Sequence, residues 1–302
     1  MADNTVRQAK TRWARLRSAI RKHVENSTTD PHPPSAVSMF SFYPVASTLL
    51  SDRPPFHRDY EWRRYPLPRP PHHLSLHARK EQCTISVHEL AVQSVDNTGN
   101  IRTWPCEDLL WRVLIDKFPD TAPPRRVLEL GAGMCGVAGL ALACQLPATS
   151  ISHVVVTDGN ASCVENLRLN VEANIAQGHL RAHSVTAELL AWSRAMLPVA
   201  ADPFDVVIAS DCLFFESFHV DLVHTLCQVT RPRTGVIYLL QPSRGGSLER
   251  FVALAQEHFT VVVDIDFDAA VMAQHAHFLH DPQYIPSLHQ PILVTLTWPS
   301  PL

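Results

Sequence analysis

A glycine-rich turn between a predicted β-strand and a predicted α-helix constrains the fold of this chain more than any other feature. Residues 127–136 read Val-Leu-Glu-Leu-Gly-Ala-Gly-Met-Cys-Gly, and an alanine- and leucine-rich helical segment follows them. Gly131, Gly133 and Gly136 let the backbone turn sharply and approach a ligand without a side chain in the way. A strand, such a turn and a helix in this order predict a ligand-binding βα unit.

Strand-like and helix-like segments alternate from about residue 82 to the end of the chain. Short apolar or β-branched runs predict the strands, and apolar residues at helical spacing predict the helices between them. The predicted strands are residues 126–130, 151–157, 181–185, 204–210, 236–240, 259–265 and 292–298. This alternation predicts an α/β, Rossmann-like fold with a mostly parallel seven-stranded sheet and helices on both faces. The last strand follows a long loop and is expected to run antiparallel.

The first 81 residues differ in composition and are predicted to be an extension that precedes one folded domain at 82–302. Residues 1–24 hold seven Lys or Arg and one acid, and apolar residues at helical spacing predict a basic amphipathic helix. Residues 25–80 are rich in proline, histidine and serine, so little regular structure is expected over most of them. The apolar stretch 39–43 is expected to dock locally.

Charge and cysteine usage narrow the class of protein. The formal net charge of −3 and the sequence pI of about 6.6 show no basic excess of the kind that nucleic-acid-binding proteins have. Seven cysteines without a Cys-x-x-Cys pair favour reduced thiols over disulfides or a zinc site. Neither a membrane-spanning run nor a secretory signal is found. We expect a soluble monomer of the cytoplasm and also the nucleus, with no metal and no nucleic-acid or membrane partner.

Two carboxylates beside the glycine turn indicate its ligand. Asp158 ends the second predicted strand, where a carboxylate accepts hydrogen bonds from the ribose hydroxyls of an adenosine ligand. The three glycines and Asp158 also match the fingerprint of nicotinamide dinucleotide enzymes, so an oxidoreductase is an alternative. Glu129, two residues before the first glycine, suits an ammonium group better than a pyrophosphate. Because the remaining chain completes one sheet without a second catalytic domain, we expect S-adenosylmethionine as the ligand.

An acid followed by aromatic residues ends the strand predicted at 204–210. Ligands of open α/β sheets bind at the carboxyl edge of the strands, and Asp211 falls there. We expect Asp211 to hydrogen-bond a substrate amine. Phe214 and Phe215 are expected to line an apolar channel that favours the neutral amine. The alternative is that Asp211 caps a helix and Phe214 packs in the core.

Two tryptophans are further candidates for this edge of the sheet. Trp104 precedes an apolar helix predicted from Glu107, and Trp192 follows the third predicted strand. Either ring can equally be part of the hydrophobic core, and the residue type alone does not decide between the two interpretations.

Several motifs of this chain resemble those of the seven-β-strand protein-lysine methyltransferases. The shared runs are residues 128–134, 157–160 and 210–214. The forms Asp-Asn-Thr-Gly-Asn at 96–100, Asp-Gly-Asn at 158–160 and Asp-Cys-Leu-Phe at 211–214 further resemble the calmodulin-lysine N-methyltransferases. The resemblance covers roughly residues 82–298, which are therefore identified as a methyltransferase domain. The proline- and histidine-rich segment before residue 80 departs from it.

The resemblance implies methyl transfer from S-adenosylmethionine to a lysine of a protein, with calmodulin as the expected substrate. It implies that the donor contacts Trp104, Gly131, Gly133, Asp158, Trp192 and Ser210. It places Asp211 and Phe214 on the substrate side as the catalytic residues. Since alignment of a neutral amine supplies much of the rate, no dedicated general base is assigned. Another protein, a small molecule or a nucleic acid as substrate, and a donor-binding protein without activity, remain alternatives.

Overall fold

A computed structural model of the chain describes residues 40–51, 53–55, 58–80, 103–118, 123–197 and 202–300. The predicted basic helix at 1–24 and the Asp-Asn-Thr-Gly-Asn run at 96–100 lie outside these ranges. No helix within them is long and apolar enough to cross a membrane.

A three-stranded antiparallel sheet forms where composition predicts little regular structure. Its strands are β1 (Thr48–Leu49), β2 (Tyr60–Pro66) and β3 (His73–Arg79), in that order. The buried side chains of Tyr65, Leu74 and Leu76 join a hydrophobic core that also contains residues of the central sheet. The structure differs from the expectation because burial against the rest of the protein stabilises these strands, and local composition does not report burial.

A seven-stranded sheet forms the centre of the described structure. Its strands are β4 (Arg125–Leu130), β5 (Ile151–Asp158), β6 (Ser184–Leu189), β7 (Val206–Ser210), β8 (Val236–Gln241), β9 (Thr260–Asp264) and β10 (Ile292–Thr297). They lie in the order β6-β5-β4-β7-β8-β10-β9; pairing is parallel from β6 to β8, and β10 is antiparallel to both neighbours. The predicted sheet with an antiparallel last strand is confirmed, although the third strand begins at Ser184 instead of residue 181.

Helices cover both faces of this sheet, as predicted. They are α1 (Pro105–Leu114), α2 (Val137–Gln145), α3 (Ala161–Ala176), α4 (His219–Val229), α5 (Ser247–Ala255), α6 (Ala269–Phe278) and α7 (Pro286–His289). Successive side chains of β4 point to opposite faces of the sheet. Val127 therefore packs in one hydrophobic core with residues of α1, α2 and α3, whereas Leu128 packs in a second core with residues of α4 and α5. No helix is predicted at α6, because Val271 is its one buried residue and no apolar stripe marks it.

Side-chain amides of α3 hydrogen-bond the edge of β3 that has no strand partner. This amide ladder consists of three asparagines four residues apart, Asn166, Asn170 and Asn174. The N–H and the carbonyl of Ser75 bond to Asn174 at 2.9 and 2.8 Å. The N–H of His77 donates to Asn170 at 2.6 Å, and its carbonyl accepts from Asn166 at 2.8 Å. Asn166 and Asn170 also donate to the carbonyl of Met134. These bonds connect the three-stranded sheet of β1, β2 and β3, called the N-terminal sheet below, to the glycine turn.

The described residues of the 39–43 stretch dock as predicted, although their partners are distant in the sequence and not local. Phe40 and Phe42 are buried, and the Phe40 ring centroid lies 5.0 Å from those of Phe278 and Tyr284. Residues 39–302 form one compact unit. Described residues before residue 81 and after residue 102 share one core, and the start of the methyltransferase domain at residue 82 stays a prediction.

Candidate active site

The predicted site residues converge at the carboxyl edge of the seven-stranded sheet, where β4, β5, β7 and β8 end. Gly131 and Gly133 have φ of 63° and 59°, a left-handed conformation that glycine adopts without steric cost. A Cβ on Gly131 would lie 2.7 Å from the Sγ of Cys212 and 3.2 Å from Cζ2 of Trp192. The turn therefore requires glycine at 131, and it brings Cys212 and Trp192 beside that residue.

Asp158, the last residue of β5, is hydrogen-bonded to the glycine turn. Its Oδ2 accepts the N–H of Gly133 at 2.9 Å, and its Oδ1 accepts the N–H of Asn160 at 2.8 Å. Burial raises the pKa of Asp158, and these N–H donors counteract the rise. The carboxyl group is thus fixed beside the turn, where the sequence predicts a contact with a ribose.

Glu129 is a buried carboxyl group under the turn, with one oxygen left without a donor. Its Oε2 accepts the N–H of Gly139 at 2.8 Å, whereas Oε1 is buried and has no hydrogen-bond partner among the described residues. Burial raises the pKa of Glu129 to about 7. A buried acceptor without a donor costs about 1–3 kcal/mol, so this oxygen marks a place where a ligand that donates would bind favourably.

Glu107 of α1 is a second buried carboxyl group, which sequence reasoning uses only as the start of a helix. It accepts the N–H of Val137, the first residue of α2, at 2.8 Å. Burial raises its pKa well above the usual value, and the charge of Glu129 adds to the rise. Its position in the first turn after Trp104 and Pro105 is the signal that could have indicated it.

Asp211 follows β7 and forms an ion pair with Arg244, which sequence reasoning does not single out. Nη2 and Nε of Arg244 donate to Oδ1 of Asp211 at 2.7 and 3.2 Å. Arg244 is the first charged residue after β8, which is the strand next to β7 in the sheet. This position in the sequence could have indicated Arg244 as a residue of the site. The helix-cap alternative for Asp211 is wrong, because the next helical turn begins at Glu216 and α4 begins at His219.

Phe214 and Trp104 flank the guanidinium of Arg244. Its Cζ lies 5.4 Å from the ring centroid of Trp104 and 5.9 Å from that of Phe214. Phe214 is 36% exposed, and its ring centroid lies 4.1 Å from that of Phe215. Core packing of Phe214 is therefore wrong. The structure places Trp104 next to the predicted substrate-side pair of Asp211 and Phe214.

Trp192 and Ser210 reach the same edge through fewer contacts. The half-buried ring of Trp192 lies beside Gly131 and 6.4 Å from the centroid of Phe218. The carbonyl of Ser210 accepts from the thiol of Cys212 at 3.3 Å. The donor contacts predicted for Trp192 and Ser210 stay predictions.

The cysteines of the described residues are free thiols, and five of the six are buried. Among the same residues, no group of three or more His, Cys, Asp or Glu side chains is suited to a metal ion.

The residues present at this edge fit S-adenosylmethionine, which carries an ammonium and a sulfonium group. Burial is the main reason why the pKa of the Cys212 thiol is raised well above its usual value. Four buried carboxyl groups near the thiol raise it further: Asp158, Asp211, Glu129 and Glu107. Arg244 is the one cation of the described chain that pairs with any of them. Glu129 Oε1 offers an acceptor to an ammonium group, and the Gly131 backbone, which carries no Cβ, lies directly beside Trp192.

Comparison with known proteins agrees with this geometry. Residues 97–258 match the family model described as lysine methyltransferase. The chain is 33% identical over 213 residues to calmodulin-lysine N-methyltransferase of Arabidopsis thaliana, covering 68% of this chain and 67% of that relative. It is 32% identical over 161 residues to protein-lysine N-methyltransferase rrg1 of Schizosaccharomyces pombe, and spans about half of that protein's length.

Among solved structures, a Thermus thermophilus 16S rRNA methyltransferase in complex with AdoMet and guanosine aligns with 82% of this chain and 52% of its own. The sequence identity is 16%, and the TM-score is 0.47. The family match and the Arabidopsis relative, with the site described above, identify the molecule: the chain belongs to the lysine methyltransferase family and is an S-adenosylmethionine-dependent protein-lysine methyltransferase.

Proposed function

We propose that this chain methylates a lysine of calmodulin, with the donor and the lysine meeting at the carboxyl edge of the central sheet. The observation that carries the site assignment is the buried Oε1 of Glu129, which lies among four carboxyl groups and has no partner within the described ranges. The named substrate of the Arabidopsis relative supports calmodulin as the protein that brings the lysine.

The donor side consists of the glycine turn and the residues next to it. In the proposal, Glu129 accepts from the donor's ammonium group and Asp158 from its ribose hydroxyls. Gly131 and Gly133 allow its close approach, and Trp104, Trp192 and Ser210 complete the site. Support comes from the hydrogen bond that fixes the Asp158 carboxylate beside the turn and from the buried Glu129 oxygen that has no donor among the described residues.

The substrate side consists of Asp211 and the aromatic residues that follow it. Asp211 orients the lysine amine, and the rings of Phe214 and Phe215 provide apolar surroundings that favour its neutral form. Attack needs that neutral form, since the reference pKa of lysine is about 10.4. Alignment of the amine with the methyl carbon then supplies much of the rate.

The charge distribution of the chain supports an acidic protein substrate. Residues 1–80 contain 14 Lys or Arg and 6 Asp or Glu, whereas residues 81–302 contain 12 and 23. On the N-terminal sheet, a cavity of about 210 Å³ is lined by Leu50, Arg53, Arg64, His73, Ser75 and Gln177. None of these is an acid, and Nη1 of Arg53 is buried without a hydrogen-bond partner in the part of the chain that the structure describes. Calmodulin is strongly acidic, and opposite charges accelerate the encounter of two proteins.

The function is tested with labelled S-adenosylmethionine, the full chain, and either calmodulin or a cell lysate. We expect label on a lysine of calmodulin, located by mass spectrometry. Label on other lysate proteins but not on calmodulin contradicts the proposed substrate. Calorimetry should show binding of S-adenosylmethionine and its demethylated product but not of NAD; tight NAD binding without binding of the sulfonium contradicts the donor site.

Deletion of residues 1–24 tests whether the predicted basic helix steers calmodulin to the site. The deletion should raise the KM for calmodulin severalfold at low salt and leave the KM of the donor unchanged, because long-range attraction is lost. The difference should shrink as ionic strength rises. A variant with Arg12, Arg15 and Arg17 changed to Gln keeps the length and serves as the matched control. Identical kinetics at low salt favour the alternatives of a solvated helix or a targeting sequence.

A further inference from the structure

The ion pair of Arg244 and Asp211 is held in place by the backbone around both residues. Arg244 has φ of 49° and Asp211 of 51°, both in the left-handed region. Residues other than glycine seldom adopt this conformation, and where they do the surroundings enforce it. The N–H of Arg244 donates to the carbonyl of Ser287 at 2.6 Å, and that of Asp211 to the carbonyl of Leu240 at 3.1 Å. The pair is therefore a fixed part of the carboxyl edge.

The guanidinium engages one oxygen of the Asp211 carboxylate. Both of its hydrogen bonds fall on Oδ1. The side chain of Asp211 is 7% exposed and that of Arg244 is 25% exposed, so a positive charge faces solvent beside the carboxylate. The same guanidinium contacts the rings of Trp104 and Phe214, which are the residues predicted on the donor and substrate sides.

A carboxylate alone is a poor neighbour for an amine that must lose its proton. Asp211 by itself would stabilise the ammonium form of the lysine and raise its pKa. A positive charge fixed beside the carboxylate opposes this effect, because like charges disfavour the ammonium form. Burial lowers the pKa of Arg244, but the charge and hydrogen bond of Asp211 raise it and the net change is upward, so the guanidinium stays charged.

We propose that Arg244 is a positioning residue for the methyl-accepting lysine and acts through Asp211. It fixes Oδ1, so that Oδ2 accepts a hydrogen bond from the amine, and its charge promotes loss of the amine proton to water. The nitrogen lone pair then forms the bond to the methyl carbon, while the bond from that carbon to sulfur breaks and its electron pair stays on sulfur. This rests on the proposed function, since it takes Asp211 as the residue that faces the amine.

Two other titratable groups face the ion pair. On α1, burial raises the pKa of the Cys106 thiol well above its usual value, and the charge of Asp211 and a hydrogen bond from the thiol to its carboxylate add to the rise. At the end of α7, burial lowers the pKa of His289, and Arg244 lowers it further. Between pH 7 and 9.5, His289 is therefore neutral and Cys106 protonated. The other titratable groups at this edge are Cys212, Glu107, Glu129 and Asp158, and they are common to wild type and variants.

The test is the pH dependence of kcat for calmodulin methylation between pH 7 and 9.5, because kcat reports the groups of the enzyme–substrate complex. In Arg244→Gln, the acid limb should move up by about one pH unit, which lowers kcat about tenfold at pH 7 and little at pH 9.5. Arg244→Lys should keep the acid limb in place and lose rate equally at every pH, because an ammonium lacks the planar fork that fixes the carboxylate. The KM for S-adenosylmethionine should stay unchanged in both variants.

A double variant separates charge from positioning. Asp211→Asn with Arg244→Gln removes both charges, so the acid limb should return to the wild-type position while kcat stays low. An unchanged limb in Arg244→Gln, or a loss equal at all pH values, overturns the proposal. Thermal melts check folding, and if Arg244→Gln unfolds, Arg244→Lys and the double variant give the same comparison. A wild-type chain that methylates no lysine contradicts the proposed function instead.

Discussion

Two clusters of buried polar side chains lie next to the glycine turn, and they differ in charge and in hydrogen bonding. The amide ladder of Asn166, Asn170 and Asn174 is neutral, and each of its amides is hydrogen-bonded to backbone. The carboxyl cluster of Glu107, Glu129, Asp158 and Asp211 is acidic and has a single cationic partner, Arg244, among the described residues. It also holds an oxygen, Oε1 of Glu129, to which no described residue donates a hydrogen bond.

The difference indicates what each cluster serves. A buried amide with its hydrogen bonds made stabilises the fold and itself carries no charge. A buried carboxylate without a partner costs stability until something compensates its charge. We infer that the ladder maintains the structure, whereas the carboxyl cluster is retained for a cationic ligand. Substitutions in the ladder should therefore lower stability, and substitutions in the carboxyl cluster should lower binding or turnover.

The largest effect is expected from Asp211→Ala, measured as turnover on a lysine substrate. Loss of the group that orients the amine should lower kcat by about a hundredfold or more. Affinity for the demethylated donor, measured by calorimetry, should change far less. Asp211→Asn is the matched control, because it keeps the size and an acceptor oxygen. Full activity of the alanine variant would remove Asp211 from the site.

Asn174→Ala should cost stability instead, by about 2–4 kcal/mol, because the N–H and the carbonyl of buried Ser75 lose their partner. Urea unfolding measures the change. Glu172→Ala is the matched control at an exposed position of the same helix, and it should change stability by less than about 0.5 kcal/mol. Donor affinity of folded Asn174→Ala should equal that of the wild type; a large loss of affinity without a loss of stability would contradict the comparison.

Asp158→Ala should weaken donor binding roughly tenfold or more, since a charge-assisted hydrogen bond contributes about 1.5–3 kcal/mol. Calorimetry with S-adenosylmethionine measures the dissociation constant. Asp158→Asn keeps the size of the side chain and one acceptor oxygen for the N–H groups of Gly133 and Asn160, so it perturbs the turn less than Asp158→Ala and helps to distinguish loss of the ligand contact from collapse of the turn. An unchanged dissociation constant in the alanine variant would exclude Asp158 from the site.

Glu129→Gln should have the smallest effect, and this substitution should raise the free energy of unfolding. The pKa of Glu129 is raised from 4.5 to about 7 in the folded chain. Below pH 4.5 the group is protonated in both states, and as pH rises to about 7 the unfolded chain loses its proton first, so that stability falls. Without donor, Glu129→Gln should thus be more stable than wild type at pH 8, by about 1–3 kcal/mol, and equal at pH 4.

Denaturation of both proteins across this pH range checks the prediction. The same variant should bind S-adenosylmethionine more weakly, because an amide lacks the charge that attracts an ammonium group. A variant that is less stable than wild type at pH 8 would show that the Glu129 carboxylate supports the fold, as the amides of the ladder do.

The local sequence determined the central sheet and the residues of its carboxyl edge. Strand length, helical spacing and the glycine turn follow from backbone preferences and side-chain periodicity, which are local properties. For that reason the strands, the helices on both faces and the convergence of Glu129, Gly131, Gly133, Asp158 and Asp211 could be predicted. The structure differs in detail at β6, which begins three residues later than the pattern predicts.

Only the tertiary structure decided which groups became partners across the chain. The N-terminal sheet is stabilised because amides of α3, about a hundred residues away in the sequence, hydrogen-bond the backbone of β3. No local pattern in residues 48–79 predicts these hydrogen bonds. The Asp211–Arg244 pair likewise forms because β7 and β8 are neighbours in the sheet. Hydrogen bonds and ion pairs depend on distances in space, and a linear pattern of residues fixes only distances along the chain.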